Sequence, residues 1–266
     1  MQLYSIASGS SGNCIYVGEE EKGKGILIDV GISMKRVKAG LEEEHLSLDR
    51  VRAIFITHEH TDHISGLGPV LRKFPIPVYA TADTIQAIWE KTNMNNISPD
   101  LFHRISPEEE LEVEGMVVCP FSISHDAADP VCYTIEQNGK RIGVATDMGT
   151  YDNRIIEHLA QCDSLLLEAN HDINMLQVGP YPYSLKMRIL GDKGHLSNDA
   201  SARLIKEILH SGLQHISLGH LSRENNFPEL AYQTVCYELE QSETWNRLDT
   251  ELMVANRESP SPLLTI

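Results

Sequence analysis

Cysteine is sparse in this 266-residue chain. There are five (Cys14, Cys119, Cys132, Cys162, Cys236), an odd number without C-x-x-C spacing. A disulfide framework and a Cys-rich zinc site are therefore not expected, and a reducing cytoplasm fits. No run of about 18 uncharged apolar residues occurs, so no membrane span is expected. The opening MQLYSIASGSSGN lacks a basic segment followed by an apolar one, so no signal peptide is expected. Internal repeats and low-complexity linkers are also missing. Positive charge is in short supply: 22 Lys plus Arg stand against 38 Asp plus Glu, a formal net of -16. Such a chain repels a phosphate backbone at long range. Any phosphate chemistry must rest on a local positive centre, and several of the 12 histidines are clustered.

What is present is ordinary for a globular protein: 41% hydrophobic residues and 18 glycines, which excludes a disordered or collagen-like chain. Length and organisation predict one domain over residues 1–266, with a loosely held tail over about 257–266. The acidic runs at 19–22, 42–45 and 108–110 read as solvated loops and helix faces.

Short runs rich in β-branched or aromatic residues predict strands: QLYSIA, NCIYVG, GILIDVG, RAIFIT, PVYAT, MVVCPFSIS, VCYTIEQ, RIGVATD, SLLLEAN, HISLGH and ELMVAN. Helical periodicity appears in HISGLGPVLRKF, TADTIQAIWEKTN, DNRIIEHLAQ, NDASARLIKEILHSG and FPELAYQTVCYELEQ. Asn198 is placed to cap the fourth and Gly212 to end it, and Pro228 falls in the first turn of the fifth. Strands in consecutive runs, then strands alternating with helices, predict mixed sheets covered by helices.

The decisive segment is RAIFITHEHTDHISGLGPVL. An apolar strand over 53–57 runs directly into His58, Glu59, His60, Thr61, Asp62 and His63. Strand alternation puts His58 and His60 on one side, and Asp62 and His63 begin the following helix. Imidazole and carboxylate suit Zn, Mn or Fe, and without Cys the set does not suit a structural zinc site.

This H-x-H-x-D-H segment resembles that of the metallo-β-lactamase superfamily, whose fold is a four-layer αβ/βα sandwich of two mixed β-sheets. The downstream motifs have counterparts here. His125 ends MVVCPFSIS and precedes Asp126. Asp147 ends RIGVATD. His220 ends HISLGH. The resemblance implies two divalent metal ions, with His58, His60 and His125 on one, Asp62, His63 and His220 on the other, and Asp147 between.

H-L-S occurs at His195 and again at His220 with a helix between, a pairing similar to that of the phosphodiesterase branch. The S-G-S-S-G-N opening over 8–13, with SHDA, TDMG, EANHD, GHLSN and GHLSREN, resembles the bacterial YycJ/WalJ-like family. The superfamily resemblance covers roughly residues 5–226, and the YycJ/WalJ-like likeness lies within that family. The latter implies a metal-dependent phosphodiesterase, a 5′→3′ exonuclease on double-stranded DNA, with nucleic-acid ends as substrate partner. By the same likeness Asp147 and Asp62 orient the attacking water, and His195 is the general acid or stabilises the transition state. A small-molecule (cyclic) phosphodiesterase or another hydrolase of this fold is the alternative. No Gly-rich basic insertion like the arm of the tRNA-processing enzymes is visible, which disfavours tRNA.

Other residues carry two readings each. The turn with Ser10 and Asn13 offers backbone N–H groups to a phosphate, or is a plain hairpin. Asp29 orients a ligand histidine or ends a strand. Glu168 orients His195 or another imidazole, or caps a loop. The segment 170–194 reads as a long loop; its Lys186 and Arg188, with Lys193 and Arg223, are candidate phosphate contacts, and its tyrosines candidate stacking partners for bases. The bland alternative is a tyrosine-packed cover. His45, His103, His158, His210 and His215 match no motif and read as surface or core residues.

Overall fold

A computed structural model describes residues 1–19 and 23–266, so most of the acidic run at 19–22 lies outside the described residues. Two seven-stranded sheets form. In chain order the first holds β1 (Gln2–Ala7), β2 (Cys14–Gly18), β3 (Gly25–Ile28), β4 (Val51–Phe55), β5 (Val78–Ala80), β6 (Phe102–Arg104) and β14 (Leu264–Thr265). Its spatial order is β14-β1-β2-β3-β4-β5-β6, antiparallel up to β3 and parallel beyond. The second holds β7 (Leu111–Val113), β8 (Met116–Ser122), β9 (Val131–Gln137), β10 (Lys140–Ala145), β11 (Ser164–Glu168), β12 (His215–Gly219) and β13 (Glu251–Val254). It is antiparallel from β7 to β10 and parallel from β10 to β13.

Alternation along the strands sorts the core into layers. Leu3, Ile15, Ile26, Ile28 and Phe55 from one sheet meet Val118, Tyr133, Ile142 and Leu166 from the other. The opposite faces take helices. On the first sheet, Tyr4, Ile6 and Leu27 pack with α1 (Met34–Glu43), α3 (Leu67–Lys73) and α4 (Ala82–Lys91) through Val37, Leu41, Val70 and Ile88. On the second, Leu165 and Leu167 pack with α5 (Asn153–Leu159), α8 (Asn198–Ile208) and α9 (Pro228–Glu240) through Leu159, Ile205 and Val235. Each fully buried aliphatic contributes about 1.5–3 kcal/mol. The result is the four-layer αβ/βα sandwich.

Several expectations need correction. The fourth helix is capped by Ser197, whose Oγ accepts from the Ala200 N–H; Asn198 instead donates to Asn226. That helix stops at Ile208 because Leu209 is already extended, four residues before Gly212. Helix α1 was not foreseen. Segment 170–194 is not a loop but carries α6 (Ile173–Val178) and α7 (Tyr183–Leu190). Finally, the tail over 257–266 is not loosely held. Leu264 is buried, β14 pairs with β1, and the Met1 ammonium donates to the Ile266 carbonyl.

One close approach fixes the metal-candidate segment. A Cβ on Gly31 would lie 1.6 Å from the Asp62 carbonyl oxygen. Gly31 N–H donates to the Asn13 carbonyl, and Asn13 N–H to that of Asp62. Gly31→Ala should therefore cost at least about 2–3 kcal/mol, since backbone must move. Denaturant unfolding tests this; a change within about 0.5 kcal/mol, typical of an ordinary surface position, would contradict it.

Candidate metal centre

The centre forms where strand ends from both sheets meet. Beyond β4, Thr57 and His58 lead into α2 (Thr61–Ile64), which holds Asp62 and His63. His125 follows β8, Asp147 follows β10 and His220 follows β12. Asp29, Asp147 and His220 have positive φ (59°, 61°, 53°), a strained conformation that turns each side chain as its strand ends.

All seven candidate ligands come together. The donor atoms of His58, His60 and His125 lie within 4.8 Å of one another, as do those of Asp62, His63 and His220, and those of His58, His63 and Asp147. Asp147 is central: its carboxylate lies 3.3 Å from His63 Nε2, 3.5 Å from His220 Nε2 and 3.7 Å from His125 Nε2. His125 Nε2 is 3.3 Å from His60 Nδ1. His58 Nε2 and Asp147 Oδ2 are buried without a hydrogen-bond partner. Nitrogens turned on one another around orphaned buried atoms are the polar cost that a cation offsets. The donor set thus fits a divalent metal.

The outer partners are as ordered as the inner ones. Asp29 Oδ2 lies 2.7 Å from His63 Nδ1, and Asp29 also accepts from the Thr57 N–H and hydroxyl. Glu168 Oε1 lies 2.8 Å from His195 Nδ1 and 2.9 Å from His220 Nδ1, while Oε2 accepts from the Met148 and Leu196 N–H groups. One carboxylate therefore orients both histidines. The His125 Nδ1 partner is the Gly194 carbonyl.

Burial opposes the charged form of His63, yet Asp147, Asp29 and Asp62 hold its pKa well above the ordinary value. Burial likewise opposes charge on His220, but Asp147, Asp62 and Glu168 push it up to about 10. His58 is dominated by burial and falls well below the usual imidazole range. Burial would raise Glu168, but His195 and His220 bring it to about 2. Asp147 is held low against burial by His220, His63 and His58.

The expected phosphate contacts fare unevenly. Ser10 is exposed and lines a pocket beside His195. Asn13 is 1% exposed: its amide oxygen accepts from the Gly9 N–H and its Nδ2 turns to Asp62 and His63. It pins the turn to the centre and offers no surface to a substrate, which corrects that expectation. Arg188 pairs with Asp126, and Lys186 donates to the Gln177 carbonyl. Arg223 and Lys193 are exposed, and Lys193 borders a groove beside His125. His158 is half-buried, pairs with Glu108 and stacks on the buried Phe121.

Sequence reasoning missed several supports. Ser8 Oγ accepts from the His220 N–H, and Asn170 Nδ2 donates to the His220 carbonyl. Glu59 accepts from Ala128 N–H and pairs with Lys91. Of these only Glu59 had a signal, its place between His58 and His60; Ser8 and Asn170 reach His220 through the fold.

The model of the beta-lactamase superfamily domain matches residues 24–213. Exodeoxyribonuclease YycJ of Bacillus anthracis is 38% identical over 236 residues, 89% of this chain and 88% of that relative. Exodeoxyribonuclease WalJ of Streptococcus pneumoniae is 36% identical over 264 residues, 99% of this chain and 97% of its own. Among solved structures, the metallo-beta-lactamase fold protein YhfI of Bacillus subtilis superposes with a TM-score of 0.68 at 15% identity, covering 98% of each chain. The family match and the two relatives, together with the strand-end centre, show that the chain belongs to the beta-lactamase superfamily and has the metallo-β-lactamase fold.

Proposed function

We propose that the protein is a metal-dependent phosphodiesterase that removes nucleotides from DNA ends, as a 5′→3′ exonuclease on double-stranded DNA. The observation that carries this is the pairing of the seven-residue centre with His195, which shares Glu168 with His220. The relatives named exodeoxyribonucleases support it. Two divalent ions would be held by His58, His60 and His125 and by Asp62, His63 and His220, with Asp147 between. Bound there, they would supply Lewis acidity and a nucleophile at neutral pH.

The chain's own groups do the rest. Asp147 and Asp62 orient the attacking water. His195 has Nδ1 on Glu168, while among described residues its Nε2 makes no hydrogen bond. That nitrogen can protonate the leaving oxygen. With a net charge of -16, affinity comes from the centre and the terminal nucleotides rather than from a long duplex grip. Among the described residues no helix is long and apolar enough to cross a membrane. The five cysteines are free, as in a reducing compartment, and on that ground we assign the activity to the cytoplasm.

A small-molecule phosphodiesterase is the second reading, favoured by the way α7 covers the space beside His195. A Mn²⁺-supplemented assay on 5′-phosphorylated duplex DNA, single strands, RNA and bis-p-nitrophenyl phosphate separates them. The exonuclease reading expects mononucleotides from duplex DNA; cleavage of the small diester alone would move the assignment to the second reading.

Metal uptake should also release protons. Without a metal the neighbouring carboxylates push His220 up to about 10 and raise His63, so both favour their protonated form. Ligation needs neutral imidazole, so apparent affinity should rise with pH. Calorimetry in buffers of different ionisation enthalpy reads the protons directly; an enthalpy independent of buffer would refute this.

A further inference from the structure

We propose that the pocket beside His195 is a nucleobase site, which takes a single unpaired base of the nucleotide at the reacting phosphate. The proposal rests on the phosphodiesterase reading. Tyr181, Leu185 and Ile189 line it together with the polar Ser10, Asn170, Ser222 and His195. Arg188, held to Asp126, closes the edge. Its guanidinium is thus anchored to the loop after His125.

Size and chemistry choose the ligand. The cavity is about 180 Å³. A site that buries a whole drug-sized molecule measures roughly 300–1,000 Å³, so this one holds a ring system and not a nucleotide. Tyr181, Leu185 and Ile189 suit the face of a base, and the one cation in the lining, Arg188, is already paired with Asp126. The amide nitrogen of Asn170 is committed to the His220 carbonyl, and among described residues its amide oxygen accepts no hydrogen bond. That oxygen is an acceptor for a base N–H.

The opposite flank of the centre differs. Beside His125 a groove of about 360 Å³ is bordered by Ser124, Asp152, Arg154 and Lys193, with Ile123, Tyr151 and Ile155 among its apolar lining. A larger groove with cationic groups on one side and a smaller pocket holding Tyr181, Leu185 and Ile189 on the other match the phosphate and the base of a nucleotide. A simple alkyl phosphodiester has no use for the second. Helix α7 supports the assignment: none of its residues is buried, yet Leu185 and Ile189 face the pocket. A base would supply the packing that this helix lacks. A base inside the pocket cannot remain paired, so each cycle opens one pair at the end.

The test uses duplexes that differ only in a terminal tetrahydrofuran residue, which keeps the sugar and phosphate but has no base, placed at either end. The wild-type enzyme should remove the base-bearing residue about tenfold faster than the abasic one at one of the two ends. Tyr181→Ala should bring that ratio near one by slowing only the base-bearing substrate. Leu185→Trp, which fills the cavity, should do the same. An unchanged rate on the abasic duplex shows that fold and metal centre are intact. Equal wild-type rates on both substrates at both ends overturn the base site alone. Equal loss on both substrates in the variants also overturns it, since that marks a structural role. Failure to cut any DNA while a small diester is hydrolysed overturns the parent reading and this one with it.

Discussion

Asp147→Ala should abolish turnover, by roughly a thousandfold or more, and lower the bound metal per chain. Asp147 is 2% exposed and is the one group within 3.7 Å of ring nitrogens on His63, His125, His195 and His220 among the described residues. Removing it withdraws the carboxylate that holds these imidazoles in a common charge balance. Metal analysis after gel filtration, beside a steady-state assay, reads both effects. A variant with a full metal complement and near-normal turnover would remove Asp147 from the centre.

His195→Ala should cost about 10²–10⁴-fold in turnover and leave the metal content unchanged. Its Nδ1 is taken by Glu168, and 21% of its side chain is exposed, against 2% for His220 on the same carboxylate. Its exposure leaves the ring open to a substrate, as it does the candidate ligands His60 at 26% and Asp62 at 24%, so the metal content of the variant decides between acid and ligand. The two roles are close in space, since donor atoms of Asp147, Glu168, His195 and His220 all lie within 4.8 Å. An emptied site in His195→Ala would therefore make it a ligand instead of an acid.

The centre was legible because its signals are local. His58, His60, Asp62 and His63 fall within six residues of sequence, and His125, Asp147 and His220 each close an apolar strand run. The layers were legible for the same reason, since β-branched runs with period two are short-range patterns. What failed depends on tertiary contacts. Helix α1 buries only Val37, Gly40 and Leu41, too thin a stripe to stand out. Helix α7 buries nothing, and Gly179, Pro180 and Pro182 before it read as loop. The tail LLTI looked free because its partner, β1, is at the far end of the chain. Asn13 looked like a substrate contact because nothing in the sequence says that its side chain turns inward toward Asp62.

The centre is also a seam. His58, His60, Asp62 and His63 lie on the first sheet's side, and His125, Asp147 and His220 on the second's. Every metal-competent cluster that contains His58 or His63 includes a residue from each side. An ion held there clamps the two halves, and at a concentration a hundred times its Kd a single site adds about 2.7 kcal/mol to the folded state. Metal supply would then set the lifetime of the protein as well as its activity. A cell starved of the metal would lose the enzyme to proteases, which act on the opened sandwich, and restoring the ion would not bring back molecules already digested.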